Sequence, residues 1–232
     1  MRHTLLEPPP SRFVFPDPRV CHDRRGVVCV GGDFAPGTLL AAYRRGIFPW
    51  PVSNRAVPWC SPDPRAVFSL EMPPAWGSSM KRAKRRCEFR VTFDEAFEAV
   101  VEACGERDEG TWITTPLARG FAELHRCGFA HSVEIWNVGS GKLVGGLYGL
   151  ALGALFAGES MFSRERDGSK AAFAHLTEGL QAGGFRLFDA QVMNPHLASL
   201  GLVEMSRDAY LDQLPHLLAC ETVFPATTAP PG

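Results

Sequence analysis

The chain has 232 residues, 45% of them hydrophobic, and a formal net charge of -1. This length and apolar content allow one large domain or a small domain joined to a larger one, and they exclude a disordered chain. The seven cysteines are scattered without a CxxC pair, which predicts neither a disulfide framework nor a zinc site and favours a reducing cytoplasm. No signal-peptide core is present, and the longest uncharged stretch, residues 143–158, is shorter than the ~18 apolar residues that suggest a membrane span. We therefore expect a cytoplasmic protein without membrane association.

Charge is distributed unevenly along the chain. Residues 1–90 carry 15 Lys and Arg against 7 Asp and Glu, whereas residues 91–232 carry 9 against 18. This asymmetry indicates either two partners of opposite charge or charges that cluster by chance on solvated faces.

The first sixty residues are rich in Pro, Gly and aromatic residues, and they predict one helix over 38–45 that is stopped by Gly46. A turn-rich segment follows, and regular elements begin after it. We therefore place a boundary near Pro62, between a small loop-rich domain (1–62) and a larger domain (63–232).

Two helices are predicted next. Thr92 and Glu95 have the spacing of a capping box, and apolar residues then repeat at helical spacing as far as Cys104. A second helix is predicted to begin with Thr115 as N-cap, followed by proline at the first helical position, and to end at Gly128.

Strand-like segments then alternate with a helix. The predicted strands cover residues 132–136, 143–152, 154–162 and 186–192, and a helix over 169–182 precedes the last of them. This order predicts a mixed α/β domain.

Glu159 is a candidate functional carboxylate. Strand alternation places it on one face with Leu155, Ala157 and Met161, in apolar surroundings. An unpaired buried charge is costly, so Glu159 either forms a salt bridge with a structural arginine or lines a cavity that receives a cation.

Asp189 and Gln191 share one face of the last predicted strand, just before an NPH turn. Strand ends of this kind often face ligand crevices. The alternative is that Asp189 only caps the turn.

Residues 80–90 hold six basic residues and one acidic residue, which fits either a phosphate-binding patch or a solvated face. Trp50 and Trp112 lie in loops, where a tryptophan fills the core or stacks on a base. His125, His131 and His196 are interpreted as structural, because none has a Cys or Ser partner in a recognisable arrangement.

Nine segments form a recognisable series: GIFPW (46–50), WCSPDPRAV (59–67), SMKR (79–82), EGTWIT (109–114), AHSVEIW (130–136), LVGGLYG (143–149), GESMFSR (158–164), SKAA (169–172) and DAQVMNPHLASLG (189–201). In their order and spacing, across about residues 25–212, they resemble the leucyl/phenylalanyl-tRNA-protein transferase family. The resemblance implies a small N-terminal domain and a C-terminal domain of the acetyltransferase-like (GNAT) fold, with a mixed sheet flanked by helices.

The resemblance also implies roles for individual residues. Residues matching Trp50 and Trp112 hold the terminal adenosine of the aminoacyl-tRNA. The residues expected to form the pocket for the leucyl or phenylalanyl side chain are Leu147, Met161, Phe173, Leu176, Leu180 and Phe188. The residues expected at the reaction centre are Glu159, Asp189 and Gln191, with Asn194 close by. The residues expected to grip the acceptor stem are Lys81, Arg82, Lys84, Arg85 and Arg86.

The chain departs from the family pattern in two places. Members often have two tryptophans where this chain has Trp59-Cys60, and an aromatic residue at the positions of Leu176 and Leu180. We expect Phe173, one turn away on the same helix face, to supply an aromatic ring, so that the pocket keeps its volume with a changed shape. The Pro-rich ends, residues 6–11 and 227–232, lie outside the match and are predicted to be disordered.

An aminoacyl ester is already activated, so the enzyme has mainly to position an amine and assist loss of a proton. The acceptor α-amine has a pKa of ~7.7 to 8.0, which leaves a useful neutral fraction. A neutral amide is too weak a base, so we assign Gln191 to orientation; Asp189 holds Gln191 or binds the ammonium, and a tRNA hydroxyl or water carries the proton away.

The resemblance implies Leu- and Phe-tRNA as donors, with Met-tRNA as a further candidate, and acceptors that begin with Arg or Lys. We expect a monomer that needs neither metal nor cofactor. An acyl-CoA N-acetyltransferase is the first competing interpretation, but its pyrophosphate loop is missing: the nearest string, residues 107–112, ends in the wrong residue. A non-catalytic tRNA- or peptide-binding module is the second, and the presence of Glu159, Asp189 and Gln191 together argues against it.

Overall fold

The chain is described from a computed structural model, which covers residues 5–50, 57–74, 76–106 and 110–227. The strands in chain order are β1 (Val27–Val30), β2 (Phe48–Pro49), β3 (Pro58–Cys60), β4 (Arg65–Ser69), β5 (Phe89–Phe93), β6 (Ala130–Asn137), β7 (Leu143–Leu152), β8 (Leu155–Ser163), β9 (Leu187–Gln191) and β10 (Val203–Met205). The α-helices are α1 (Pro36–Tyr43), α2 (Ser78–Lys84), α3 (Phe97–Gly105), α4 (Thr115–Arg126), α5 (Gly168–Ala182), α6 (Pro195–Ser199) and α7 (Arg207–Leu218).

Two sheets organise the described residues. A small antiparallel sheet has the order β1-β3-β2, and a seven-stranded sheet has the order β10-β4-β9-β8-β7-β6-β5. In the large sheet, β8 and β9 are parallel, while the other neighbouring strands pair antiparallel. This mixed sheet, with helices on both faces, confirms the predicted mixed α/β fold.

Separate hydrophobic clusters cover the faces of the large sheet. On one face, α5 packs against β6, β7, β8 and β9 through residues such as Phe173 and Leu176. On the other face, one continuous cluster joins α1 and the small sheet to α3, α4 and β7. The N-terminal residues therefore share a core with the large sheet, and this contact brings Tyr43 and Trp50 towards the strands that form the site described below.

Most predicted elements are present. The predicted strands and the helix over 169–182 are confirmed within one or two residues, and Gly46, with φ of +71°, follows α1 as its stop signal. The helix predicted from Thr115 is also confirmed, but its N-cap is Thr114, whose hydroxyl accepts from the Leu117 amide at 3.4 Å.

The predicted capping box is wrong. Thr92 lies in β5, which pairs with β6, and its hydroxyl donates to the buried Glu134 carboxylate instead of capping a helix. The helix begins at Phe97 without a side-chain cap. Pairing of β5 with β6 gives this segment more hydrogen bonds than one capping interaction would.

Simple alternation also fails in β8. The register with β7 pairs Tyr148 with Ser160 and Gly149 with Gly158, so Glu159 is an extra residue in a bulge. After the bulge, Met161 packs on the α5 side with Phe156, whereas Ala157 belongs to the opposite cluster. The prediction that Ala157, Glu159 and Met161 share one face is therefore wrong.

The segment 6–11 is held in place, contrary to the prediction of disorder. The Leu6 amide donates to the Cys127 carbonyl at 3.0 Å, and Glu7 forms an ion pair with Arg44. Ser11 lies 3.1 Å from the Thr38 hydroxyl. Of the C-terminal segment, residues 228–232 lie outside the described residues. None of the described helices is both long and apolar enough to cross a bilayer.

Candidate active site

A cavity of about 500 Å³ opens where β8 and β9 stop pairing. The parallel pairing ends at Ala157 and Asp189, and beyond that point both strands are bulged. The residues that line the cavity are Phe48, Pro49, Trp50, Trp112, Leu147, Gly158, Glu159, Ser160, Met161, Phe188, Ala190, Gln191, Val192, Met193, Asn194, His196 and Leu197. Eight predicted site residues therefore surround one space.

Glu159 and Gln191 lie on opposite sides of the gap between the two strands. The Gln191 side-chain Nε2 donates to Glu159 Oε1 at 2.9 Å, and both residues are buried. Gln191 has φ of +63°, a backbone conformation that an L-residue with a side chain adopts rarely. Glu159 has no arginine partner within 4 Å among the described residues, so nothing in that part of the chain supports the alternative of a structural salt bridge.

Burial raises the pKa of Glu159 to about 8. The nearby Tyr43 hydroxyl and the Gln191 amide act in the opposite direction, and the Asp189 carboxylate adds to the increase. The Tyr43 hydroxyl falls short of a regular hydrogen-bond geometry with any described group. Glu159 is thus mainly a neutral acid at pH 7, in a position where an incoming cation would favour its ionised form.

Asp189 lies beneath the cavity and is not part of its wall. Its carboxylate accepts two hydrogen bonds from Arg65, at 2.9 and 2.7 Å, and one from the Tyr210 hydroxyl at 2.9 Å. It also accepts the Gln191 backbone amide at 2.9 Å. Four donors and complete burial leave little capacity for another ligand, so this carboxylate fixes the turn that carries Gln191.

Arg65 connects this network to the N-terminal residues. It is 1% exposed, and its third contact is a donation to the Gly46 carbonyl at 2.9 Å. Burial alone would lower the pKa of Arg65, but the Asp189 carboxylate raises it above its ordinary value, so the guanidinium stays charged. A carboxylate in bidentate contact is the partner that a buried guanidinium requires.

Half of the predicted apolar pocket lines the cavity. Leu147, Met161 and Phe188 do so. Phe173, Leu176 and Leu180 do not: each is 0% exposed and packs inside the α5 cluster. The Phe173 ring lies behind Phe188, at 5.2 Å between ring centroids, so it supports the wall without forming it.

Two loop tryptophans also line the cavity. Trp50 is 37% exposed and lies 6.0 Å from the Phe48 ring, while Trp112 is half-buried. Trp59, in contrast, is completely buried, and its indole donates to the Gly31 carbonyl. The two tryptophans predicted to bind a ligand are thus distinguishable from a core tryptophan.

Asn194 also reaches the cavity, although its side-chain oxygen caps α6 by accepting the Leu197 amide at 2.9 Å. His196, interpreted above as structural, lines the cavity too, and burial together with the neighbouring Lys170 lowers its pKa.

The residues that sequence reasoning missed are Tyr43, Arg65 and Tyr210. A single arginine beside the apolar run of β4 was the available signal for Arg65.

The basic residues of α2, together with Arg85 and Arg86 directly after it, fall into two groups. Lys84 pairs with Glu178, and Arg86 donates to the Arg166 carbonyl and approaches Glu88. The exposed residues are Lys81, Arg82 and Arg85, and Arg82 makes a distant contact with Asp167 at 3.8 Å. Lys170 donates to Ser79 at 2.9 Å and lies beside His196, so positive charge extends from α2 to the cavity rim.

The string at residues 107–112, considered above as a pyrophosphate loop, lies partly outside the described residues. His125 and His131 lie away from the cavity. The His131 ring contacts Asp94 at 2.7 Å, and His125 stacks on Phe97.

Solved structures with a similar chain trace include L-PGS from Bacillus licheniformis, with a TM-score of 0.44 and 10% identity over 68% of this chain and 66% of that one. A GCN5-related N-acetyltransferase from Sphaerobacter thermophilus has a TM-score of 0.41 and 18% identity, over 74% of this chain and 54% of that one.

Sequence comparison gives much closer relatives. The family model for leucyl/phenylalanyl-tRNA protein transferase matches residues 73–215, and the model for the N-terminal domain of that family matches residues 32–63. Leucyl/phenylalanyl-tRNA-protein transferases from Syntrophobacter fumaroxidans and Yersinia enterocolitica are 47% and 45% identical to this chain. They cover 88% and 94% of it, and the matched regions are 87% and 91% of the relatives. The chain belongs to the leucyl/phenylalanyl-tRNA protein transferase family.

Proposed function

We propose that this chain transfers a leucyl or phenylalanyl group from its tRNA to the α-amino group of a protein that begins with Arg or Lys, which marks that protein for degradation. One observation carries the proposal beyond family membership. A single cavity combines loop tryptophans, an apolar wall and the Glu159–Gln191 pair, as an aminoacyl adenosine and an acceptor amine would require. Such a reaction takes place in the cytoplasm, where charged tRNA is available.

The parts of the cavity suggest where each part of the donor binds. Trp50 and Trp112 stack on the terminal adenine, an interaction worth ~1 to 3 kcal/mol per base. Leu147, Met161 and Phe188 receive the aminoacyl side chain. The ester carbonyl is then near Glu159 and Gln191, at the gap between the strands.

Chemically, the acceptor nitrogen attacks the ester carbonyl carbon. The amide bond forms as the bond to the ribose oxygen breaks, and the proton lost by nitrogen ends on that oxygen or on water. Gln191 orients the reacting groups, and Glu159 binds the acceptor's positive charge as it ionises. Asp189 acts as a positioning residue through the Gln191 backbone. Its oxygens already accept four hydrogen bonds, so Asp189 does not bind the acceptor ammonium.

The basic residues of α2, with Arg85 and Arg86 directly after it, are assigned to the acceptor stem, which phosphate contacts would hold without regard to sequence. Lys81, Arg82 and Arg85 are its exposed members, and Lys84 and Arg86 complete it. Asn194 shapes the acceptor side of the cavity.

The chain divides into residues 1–62 and 63–232, because the two matching family models meet between residues 63 and 73. We expect a monomer.

The test is direct transfer. The protein is incubated with separately charged Leu-, Phe- and Met-tRNA and a peptide that begins with Arg, and the peptide mass is measured. We expect addition of Leu and Phe. The controls are a peptide that begins with Ala, uncharged tRNA, and acetyl-CoA as donor. Acetylation without aminoacyl transfer, or no addition from any charged tRNA, would contradict the proposal.

A further inference from the structure

Gly158 lies directly against the ring of Phe188. A Cβ atom at position 158 would be 2.4 Å from Cζ of that ring, and 3.0 and 3.1 Å from Cε1 and Cε2. The tip of the ring therefore occupies the space that any other residue at 158 would need. Both residues line the cavity, so their contact lies at its apolar end.

The Phe188 ring has little freedom to move away from the cavity. It is 1% exposed, stacks on Phe156 at 5.7 Å and meets the edge of Phe173 at 5.2 Å. Phe173 is in turn supported by Phe68 and Trp76, at 5.4 and 6.0 Å. Displacing the ring in that direction would disturb a close-packed aromatic cluster, which is costly.

Strand β8 cannot easily move away from the ring either. Its neighbour β7 approaches so closely that a Cβ on Gly149 would lie 2.2 Å from the Ala157 carbonyl oxygen. On the ring's own strand, Phe188 is paired with Phe156 on β8 and with Phe68 on β4. A side chain at 158 would therefore push the ring towards the open volume beside it, which is the cavity.

We infer that Gly158 is a specificity-determining residue: its missing side chain lets the Phe188 ring withdraw, and this sets a pocket depth that admits a phenylalanyl as well as a leucyl group. The inference rests on the proposed function. A larger residue at 158 would make the pocket shallower. Because leucine is shorter than phenylalanine, Leu transfer would be less affected.

The test is Gly158→Ala, with kcat/KM measured separately for Phe-tRNA and Leu-tRNA on one Arg-initiated peptide. One methylene in an apolar pocket changes discrimination by roughly 10- to 200-fold, so we expect the Phe/Leu ratio to fall by about 10-fold or more. The double variant Gly158→Ala with Phe188→Leu removes the ring and should restore the ratio. Gly105→Ala is the matched control, because an added Cβ there meets no atom within 4 Å.

A Phe/Leu ratio unchanged by Gly158→Ala, or a double variant that folds but does not regain Phe transfer, overturns the inference. Should Gly158→Ala fail to fold, Phe188→Leu alone decides: the deeper pocket must raise the Phe/Leu ratio, and an unaltered ratio would refute the assignment. Absence of transfer by the unsubstituted protein would instead contradict the proposed function.

Discussion

The Gln191 side-chain amide donates to the Glu159 carboxyl group at 2.9 Å, across the gap that opens where β8 and β9 stop pairing. Each residue reaches this position through an irregularity. Glu159 is the extra residue of a bulge, and Gln191 has positive φ. The hydrogen bond between the two side chains joins the strands beyond the last backbone pairing, and it places a carboxyl group and an amide at the wall of the cavity.

We expect Glu159→Gln to lower kcat/KM for the acceptor by about 10- to 150-fold, since a charge-assisted hydrogen bond is worth ~1.5 to 3 kcal/mol. Its melting temperature should not fall, because Glu159 has no arginine partner among the described residues and Gln removes the cost of burying a group that is ionised in the unfolded chain at neutral pH. Transfer of Leu to Arg- and Ala-initiated peptides, measured beside a melting curve, provides the test. A large drop in Tm with unaltered acceptor kinetics in the folded protein would refute the role in acceptor binding.

Glu159 also predicts a pH dependence of stability. Because burial raises its pKa to about 8 in the folded protein, folding binds a proton between the ordinary carboxyl value and about 8. The contribution of this group is fully present below the ordinary value and is lost as pH rises through about 8. The free energy of unfolding should therefore fall with pH more steeply in the unsubstituted protein than in Glu159→Gln. Denaturant titrations between pH 5 and 9 check this, and parallel profiles would contradict it.

Trp112→Ala should weaken use of aminoacyl-tRNA by ~1 to 3 kcal/mol, or roughly 5- to 150-fold in kcat/KM at limiting tRNA. The half-buried ring lies in a loop at the cavity wall, so the fold should persist. Trp59→Ala serves as the contrast, since removal of that completely buried indole should lower Tm strongly. Full activity of Trp112→Ala at limiting tRNA would exclude stacking.

The sequence predicted elements better than it predicted the inner surface of the site. Period and turn signals located β6 to β9 and α5, because long apolar patterns leave few alternatives. Alternation could not show the bulge at Glu159, which depends on the pairing of β8 with β7. Similarly, Leu176 and Leu180 were assigned to the pocket from family positions, whereas both are completely buried in the α5 cluster and do not line the cavity.

Lys81→Ala combined with Arg85→Ala should reduce tRNA affinity equally for different tRNA sequences, because phosphate contacts carry no base information. Each lost phosphate contact should reduce the slope of log tRNA affinity against log salt concentration by about 0.7 to 0.9. These two exposed residues are preferred to Lys84, whose ion pair with Glu178 would confuse the result. Arg24→Ala with Arg25→Ala, exposed and outside α2, is the control. If Lys81→Ala with Arg85→Ala leaves tRNA binding as unchanged as the control pair does, at low and at high salt, this basic segment is only a solvated face.

Asp189→Asn should be strongly destabilising. It leaves the Arg65 guanidinium buried without its anionic partner, and breaking a buried pair in this way costs ~3 to 5 kcal/mol. Tyr210→Phe removes one hydrogen bond to the same carboxylate and keeps the ring beneath Arg65, so its cost should be smaller, ~1.5 to 3 kcal/mol. A positioning role predicts more than instability. The substitution also removes the charged acceptor of the Gln191 backbone amide. The protein that remains folded should therefore show a lower kcat with little change in the KM for tRNA. Melting curves and kinetics below the melting transition separate the two effects, and a full kcat in folded Asp189→Asn would leave Asp189 with a structural role alone.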